Sequence, residues 1–545
     1  MFTGRQTGAA RGAPSRRRLL LWAGVPPLVA LVVVGVASLP VGVRAWPYIM
    51  AHGVAWGAML VAWRRWRVAA VAGALPERAV PSLLAGAAVA LALLVCVPPF
   101  TTHDVQRYLW DGAVLMRGFD PYRLPPEAPV LQPLRAWWPT PAEHVTRPTL
   151  YPPLALATFG LASLAGPQAG LWVWKAVAAC AAWVTLWLGT KSLRKLGRVE
   201  RVPLLALSPI LLLEAGVGGH VDVLAAAAVA AALWGTVAAR PAGTLAAGAA
   251  TDACAGPGDE AAGAGPAEPC SVGAWRSFFV GAAVGVAALV KIWPLVLGWA
   301  LFYWRPARGG GGHRLALSAG EPEPAVAAAA RCDRDGQRHR GSQGVGCEAQ
   351  RGGAGVHRPA LVGGGILIGV GAYGSAWAAG LAPLGYLPVF VSEWTFGAPL
   401  GGVLAQLPGP ARGVLGLVLV AAGLALSRHW AQQGRLGLAV WTALALPLLV
   451  APVLFPWYLL ALVVPLAWAP TGFGLAWIGA APLTYEVIDT FDVRGVWEPA
   501  AWPLWGVALA WAAGLCWDGC RAYRRGARQA PVATATARAR AGREP

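Results

Sequence analysis

The densest run of reactive side chains lies between two apolar stretches, in the string Thr101-Thr102-His103-Asp104-Val105-Gln106-Arg107-Tyr108-Leu109-Trp110-Asp111-Gly112. Asp104 follows closely on the apolar run that ends at Pro98, and Arg107 lies about one helical turn further on. A carboxylate so placed can act as a general base, with the guanidinium beside it serving as a phosphate-binding cation. The competing reading is a helix N-cap: Thr101, Thr102 or Asp104 opens a short surface helix that includes Tyr108 and Trp110. The two roles are compatible.

Ionisable groups at membrane depth or at span ends are costly, so each is a functional candidate. His103, Glu214, His220, Asp222, Lys291, Glu393 and the Glu486/Asp489/Asp492/Arg494 group join Asp104 and Arg107 on that ground. His220 and Asp222 sit in a glycine-flanked turn, as a hydrogen-bonded brace or a ligand contact. Two such ligands without an evident third do not make a zinc site, so no metal is expected. Glu214 reads as a buried acid at the same turn. Lys291 either neutralises a phosphate or snorkels to the interface. Arg494 is a weaker cation, with Asp492 beside it as a surface partner. Trp137, Trp138, Trp394, Trp457 and Tyr458 read mostly as interface anchors.

The elements that must carry these residues follow from composition. Of 545 residues, 57% are hydrophobic and only 13% charged, with 29 Trp, 69 Gly and 46 Pro. Soluble domains carry roughly 25% charge, whereas a polytopic helical membrane protein excludes charge and tolerates Gly and Pro. The net charge of +19 resides largely in the tails: residues 1–18 hold five Arg and no acid, and residues 517–545 hold seven Arg against Asp518 and Glu544. Such tails keep their flanks in the cytoplasm, and no basic, aromatic-interleaved domain points to nucleic acid. The eight Cys are dispersed without a C-x-x-C pair, so neither a zinc site nor a disulfide framework is indicated.

Apolar runs predict an all-α bundle of about 14 transmembrane helices within residues 19–517, between a basic cytoplasmic tail (1–18) and a basic disordered tail (518–545). Leu19–Leu39, Trp46–Trp63 and Pro81–Pro98 come first, and the loop 99–150 then lies outside the cell, its five Arg balanced by five acids. Leu171–Leu188 returns to a basic stretch. Two hairpins of short spans follow, Val202–Ala215 with Val223–Ala238, and Phe278–Val290 with Pro294–Trp304. The connectors 240–276 and 305–358 are low-complexity and read as flexible cytoplasmic loops. Leu361–Ala379, Val414–Leu426, Leu436–Leu454, Trp457–Trp468, Phe473–Leu483 and Ala500–Trp517 complete the set. On this topology both termini are cytoplasmic, and the candidate residues gather on the external side of the cell membrane.

Several of these strings together resemble a known family. Asp104 through Gly112, then Gly118-Phe119-Asp120-Pro121-Tyr122 and Leu150-Tyr151-Pro152-Pro153, look like the first external loop of GT-C-type glycosyltransferases. The closest branch is glycosyltransferase family 87 with related bacterial mannosyltransferases. Ser208-Pro209 through Glu214, Gly219-His220-Val221-Asp222, Lys291-Ile292-Trp293-Pro294, Trp394-Thr395-Phe396 and Pro456-Trp457-Tyr458 resemble further family segments, in order, over roughly residues 95–470. Gly397 replaces the family's Asn, two N-terminal spans are additional, and the 305–358 insert is long.

The resemblance implies an inverting enzyme with Asp104 as catalytic base; Arg107 and Lys291 are the cations we place near the donor phosphate. His103, Glu214, His220 and Asp222 would contact the acceptor or brace the loops. The donor would be a polyprenyl-phosphate sugar, most readily mannose, with no further cofactor. The acceptor would be an extracytoplasmic glycan or glycolipid, the only other partner the lipid bilayer. The competing class is a transporter or lipid-linked-sugar flippase, which calls for inverted repeats and midplane charges.

Overall fold

The computed structural model describes residues 16–140, 145–238, 272–305 and 356–529. The N-terminal tail through residue 15, most of both low-complexity connectors and the tail beyond residue 529 lie outside the described residues. Within them the chain is helical, and the one β-type pairing is an isolated bridge between Phe396 and Val453.

Three apolar helices come first: α1 (Val25–Ala37), α2 (Ala45–Val71) and α3 (Ala79–Val95). The loop region then supplies α4 (Asp104–Met116) and α5 (Pro153–Ser163), and α6 (Gly166–Lys195) follows. Next is a short α7 (Pro209–Leu213) that runs into a π-helical turn, Glu214–Gly218, before α8 (Asp222–Ala238). After α9 (Val272–Val290) and α10 (Leu297–Tyr303) come α11 (Arg358–Ala378), α12 (Leu387–Glu393), α13 (Pro399–Ala405) and α14 (Gly409–Gln432). The last five are α15 (Leu436–Val450), α16 (Val463–Trp468), α17 (Gly472–Ala480), α18 (Val487–Arg494) and α19 (Trp502–Gln529).

Five helical stretches among the described residues are long and apolar enough to cross a membrane: Arg17–Ala37, Gly166–Lys195, Gly273–Val290, Arg358–Ala378 and Gly409–Gln432. A sixth arises if Val199–Ala206 and Pro209–Gly218, bent by 44° at Leu207-Ser208, count as one broken span. The last stretch has only 6% of its apolar window buried, as expected of a helix whose partner is hydrocarbon. Six further apolar helices are shorter, at 10–17 residues, so the described residues hold fewer full-length spans than the 14 expected.

Other elements depart from the sequence reading. α5, α12, α13 and α18 lie where loop or no span was expected. α19 continues twelve residues beyond Trp517, into the segment read as a disordered tail. That extension is anchored: the Asp518 carboxylate accepts the N–H groups of Gly472 and Phe473, capping α17 from outside.

The helix carrying Asp104 is not a surface helix. Residues 107–114 are buried on every side, including Tyr108 at 1% and Trp110 at 0% exposure. Gly112 makes this possible, because a Cβ there would lie 2.4 Å from the backbone of Phe159 in α5. Tyr108 therefore stacks flat on Phe159 (4.5 Å, 6°), which in turn packs edge-on against Trp174 of α6 (5.1 Å). A small aromatic core of its own thus fixes α4 on the main bundle.

Candidate active site

Asp104 enters its helix at the first turn. The N-cap residue is His103, and the Thr102 hydroxyl just before it accepts the Asp104 N–H at 3.0 Å. The Asp104 carboxylate turns inward. Its Oδ2 accepts from the Tyr108 hydroxyl at 3.2 Å and lies 3.5 Å from His220 Nδ1. Burial first, and then the charge of Asp104, hold the Tyr108 and Tyr151 phenols well above their ordinary range, so both remain proton donors.

Asp104 borders a cavity of about 280 Å³ built from six separate chain segments. Thr101 to Asp111 and Arg147 to Tyr151 form one part of its lining, with Lys291 beside them. Aromatic groups supply most of the rest: Tyr386, Phe390 and Trp394, then Phe455, Trp457 and Tyr458, then Phe491 and Trp497. A wall of this kind offers flat apolar faces next to a few charges, the composition of a small-molecule site.

The two expected cations are placed differently. Arg107 donates from Nε to Asp111 Oδ1 at 2.8 Å and from a terminal nitrogen to the Arg147 carbonyl at 2.7 Å, with 8% of its side chain exposed. Its charge is met within α4. Lys291 lies 3.2 Å from Asp222 Oδ2 and 4.0 Å above the Tyr458 ring, with 16% of its side chain exposed to the cavity side. Burial alone would lower the Lys291 ammonium, but the Asp222 carboxylate outweighs it and holds the group above its ordinary value. The snorkelling alternative does not describe a lysine tied to a buried acid.

Glu214, His220 and Asp222 form a layer behind the cavity, all 3% exposed or less. Gly219, at φ +61°, makes the reversal after the π-helical turn and aims His220 back at it. Trp174 Nε1 fastens that reversal by donating to the Gly219 carbonyl at 2.7 Å. His220 Nε2 then lies 3.5 Å from Glu214 Oε2, and the ring stacks on Trp457 at 3.8 Å and 10°. Trp457 is only 6% exposed, so it is a wall of the site and not an interface anchor. Tyr458 likewise serves Lys291.

His103 lines the cavity with its ring near Phe491. Of the late acidic group only Asp492 reaches the lining. Asp489 caps α2 by accepting the Arg44 and Ala45 N–H groups, Glu486 accepts from Ala500 N–H, and Arg494 is exposed at the end of α18. Among the described residues no three His, Cys, Asp or Glu converge as a metal-ligand set.

Three further residues were not singled out from the sequence. Arg147 lines the cavity, donates to the Tyr386 hydroxyl, stacks over that ring at 4.7 Å and lies 3.8 Å from Glu393. His52, on α2 and 1% exposed, lies 3.5 Å from Glu214 Oε1. Lys175, fully buried on α6, donates to the carbonyls of Leu94, Val97 and Val217, tying the end of α3 to the π-helical turn. His52 and Lys175 were legible by the rule applied elsewhere, as lone ionisable residues inside apolar runs.

Comparison with protein-family models, with curated proteins and with solved structures gives no match to this chain.

Proposed function

We propose that this chain is an inverting membrane glycosyltransferase that moves one sugar, mannose first among the candidates, from a polyprenyl phosphate to a glycan or glycolipid acceptor. One observation carries the reading: Asp104 borders a cavity that also contains Lys291, Arg147 and a broad aromatic wall. In the proposed step an acceptor hydroxyl gives its proton to Asp104 as its oxygen bonds to the anomeric carbon. The bond from that carbon to the phosphate oxygen breaks, and the electron pair leaves on the lipid phosphate. The leaving group is an anion, so it needs positive charge and not an acid; Lys291 and Arg147 supply it. Aromatic faces such as Trp497 suit the apolar face of a sugar ring.

The same reading sets the chain in the cell membrane with about fourteen spans and half-spans, both termini cytoplasmic and the cavity outside. It needs no cofactor beyond the activated donor, and no nucleic acid. A reporter active only outside the cytoplasm should work when fused near Pro126 and be silent near Gly310; the reverse pattern would place the cavity inside. The decisive assay is consumption of labelled lipid-phosphate sugars by membranes containing the wild type or Asp104→Asn.

One feature also suits a transporter. The bent pair Val199–Ala206 and Pro209–Gly218 is a discontinuous helix beside the site. Proteoliposomes that move lipid-linked sugar across the bilayer without forming a glycosidic bond would favour that reading.

A further inference from the structure

Behind Asp104 lies a chain of buried groups that proton transfer to Asp104 does not by itself require. Glu214 is 0% exposed and stands between two imidazoles, with His52 Nε2 3.5 Å from one oxygen and His220 Nε2 3.5 Å from the other. Tyr485, from the turn Ala481–Glu486, donates its hydroxyl to the same carboxylate, and the Tyr48 ring packs edge-on against both Tyr485 and His52. His220 is also 0% exposed, and its other nitrogen faces Asp104. Tyr108 donates to Asp104 from the same helix, and the nearby Asp222 is met by Lys291.

A carboxylate that stays ionised without access to water needs a counter-charge. Tyr485 supplies a neutral donor, so the charge has to come from an imidazole. His220 is the better placed, since each of its nitrogens faces a carboxylate oxygen. A neutral ring would present a bare lone pair to one of them, whereas an imidazolium turns positive charge toward both. The flat Trp457 face at 3.8 Å favours the same cation. At 3.5 Å the links are longer than direct hydrogen bonds, so the coupling is mainly electrostatic.

We infer that Glu214 and His52 are positioning residues: His52 steadies Glu214 as a carboxylate, Glu214 holds His220 as an imidazolium, and His220 keeps Asp104 ionised and able to take a proton. The inference rests on the role proposed for Asp104. It assigns part of the site to α2, a helix outside the stretch from about residue 95 that resembles a known family. An N-terminal span that looks additional in sequence is then integral to the site.

Removing the anion or its support should let His220 lose its charge. Asp104 would then hold a proton at higher pH, since an opposite charge within 4–6 Å typically lowers a carboxyl by about 1–3 units. A hydrophobic carbodiimide couples to protonated carboxyls, and mass analysis of the peptide bearing Asp104 in the full-length purified protein reads that state without any substrate. Across a pH series the midpoint of labelling should rise by about one unit in Glu214→Gln and in His52→Phe. His52→Gln, which keeps an N–H donor, should stay close to the wild type. The acid limb of sugar transfer should move with the labelling. Unmoved midpoints in both Glu214→Gln and His52→Phe would overturn the inference, and if Glu214→Gln is not recovered His52→Phe decides. Shifted labelling in a protein that transfers no sugar would overturn the proposed function and leave the coupling intact.

Discussion

Two carboxylates on α4, two turns apart, have opposite surroundings. Asp111 is 1% exposed and bonded at 2.8 Å to Arg107, a cation of the same helix that also ties down the Arg147 carbonyl. Asp104 keeps 22% of its side chain exposed, takes its hydrogen bond from a neutral phenol and faces an imidazole at 3.5 Å. The first acid is occupied in holding the loop to the bundle. The second lines the cavity, where a proton acceptor must stand. The amino-acid type is the same; the difference lies in what each meets, a guanidinium for Asp111 and a phenol with an imidazole for Asp104.

The contrast is tested most severely by Asp104→Asn. It preserves shape and loses the ability to accept a proton, so transfer should fall by at least roughly 100-fold while yield and membrane insertion hold. Near wild-type transfer would mean that the wrong acid has been assigned. Asp111→Asn should reverse the pattern. Leaving the buried Arg107 short of its partner typically costs about 3–5 kcal/mol, so the loss should appear in thermal stability and yield, with activity per folded molecule changing only a few-fold.

Lys291→Ala should come next, with donor KM raised about 10-fold, the worth of roughly one charge-assisted bond to a phosphate. Lys291→Arg should retain more donor use, because it preserves a charge beside Asp222; equal, wild-type KM in both would leave Lys291 as the partner of Asp222 alone. The sign of its pH dependence follows from its surroundings. A lysine held above its ordinary 10.5 stays charged through neutral pH, and its stabilising pair with Asp222 is present below that value and lost as pH rises past it. Donor binding should therefore be flat around neutrality. The smallest effect belongs to Asp120→Asn, under about three-fold, because Asp120 accepts the Tyr122 and Ala382 N–H groups in a turn and Asn retains one such acceptor.

Readable from the residues alone were the helical class, the turn at Gly218-Gly219-His220, the break at Lys291 and the reactive segment around Asp104. Each follows from a signal confined to a few neighbouring residues: an apolar run, a proline, a glycine, a charge at the end of a span. The Arg107–Asp111 pair was also within reach, as an i,i+4 contact. Packing alone decided that α4 is buried, since this depends on Gly112 meeting the backbone of α5 and Tyr108 meeting Phe159. It also decided that Arg147 meets Tyr386, 239 residues away, and that Tyr485 meets Glu214, 271 residues away. Periodicity gives the face of a helix but not the helix opposite it. Which cation neutralises which acid, and which acid is left open to a ligand, is fixed only when distant spans are brought to within a few ångströms in a medium that does not tolerate unpaired charge.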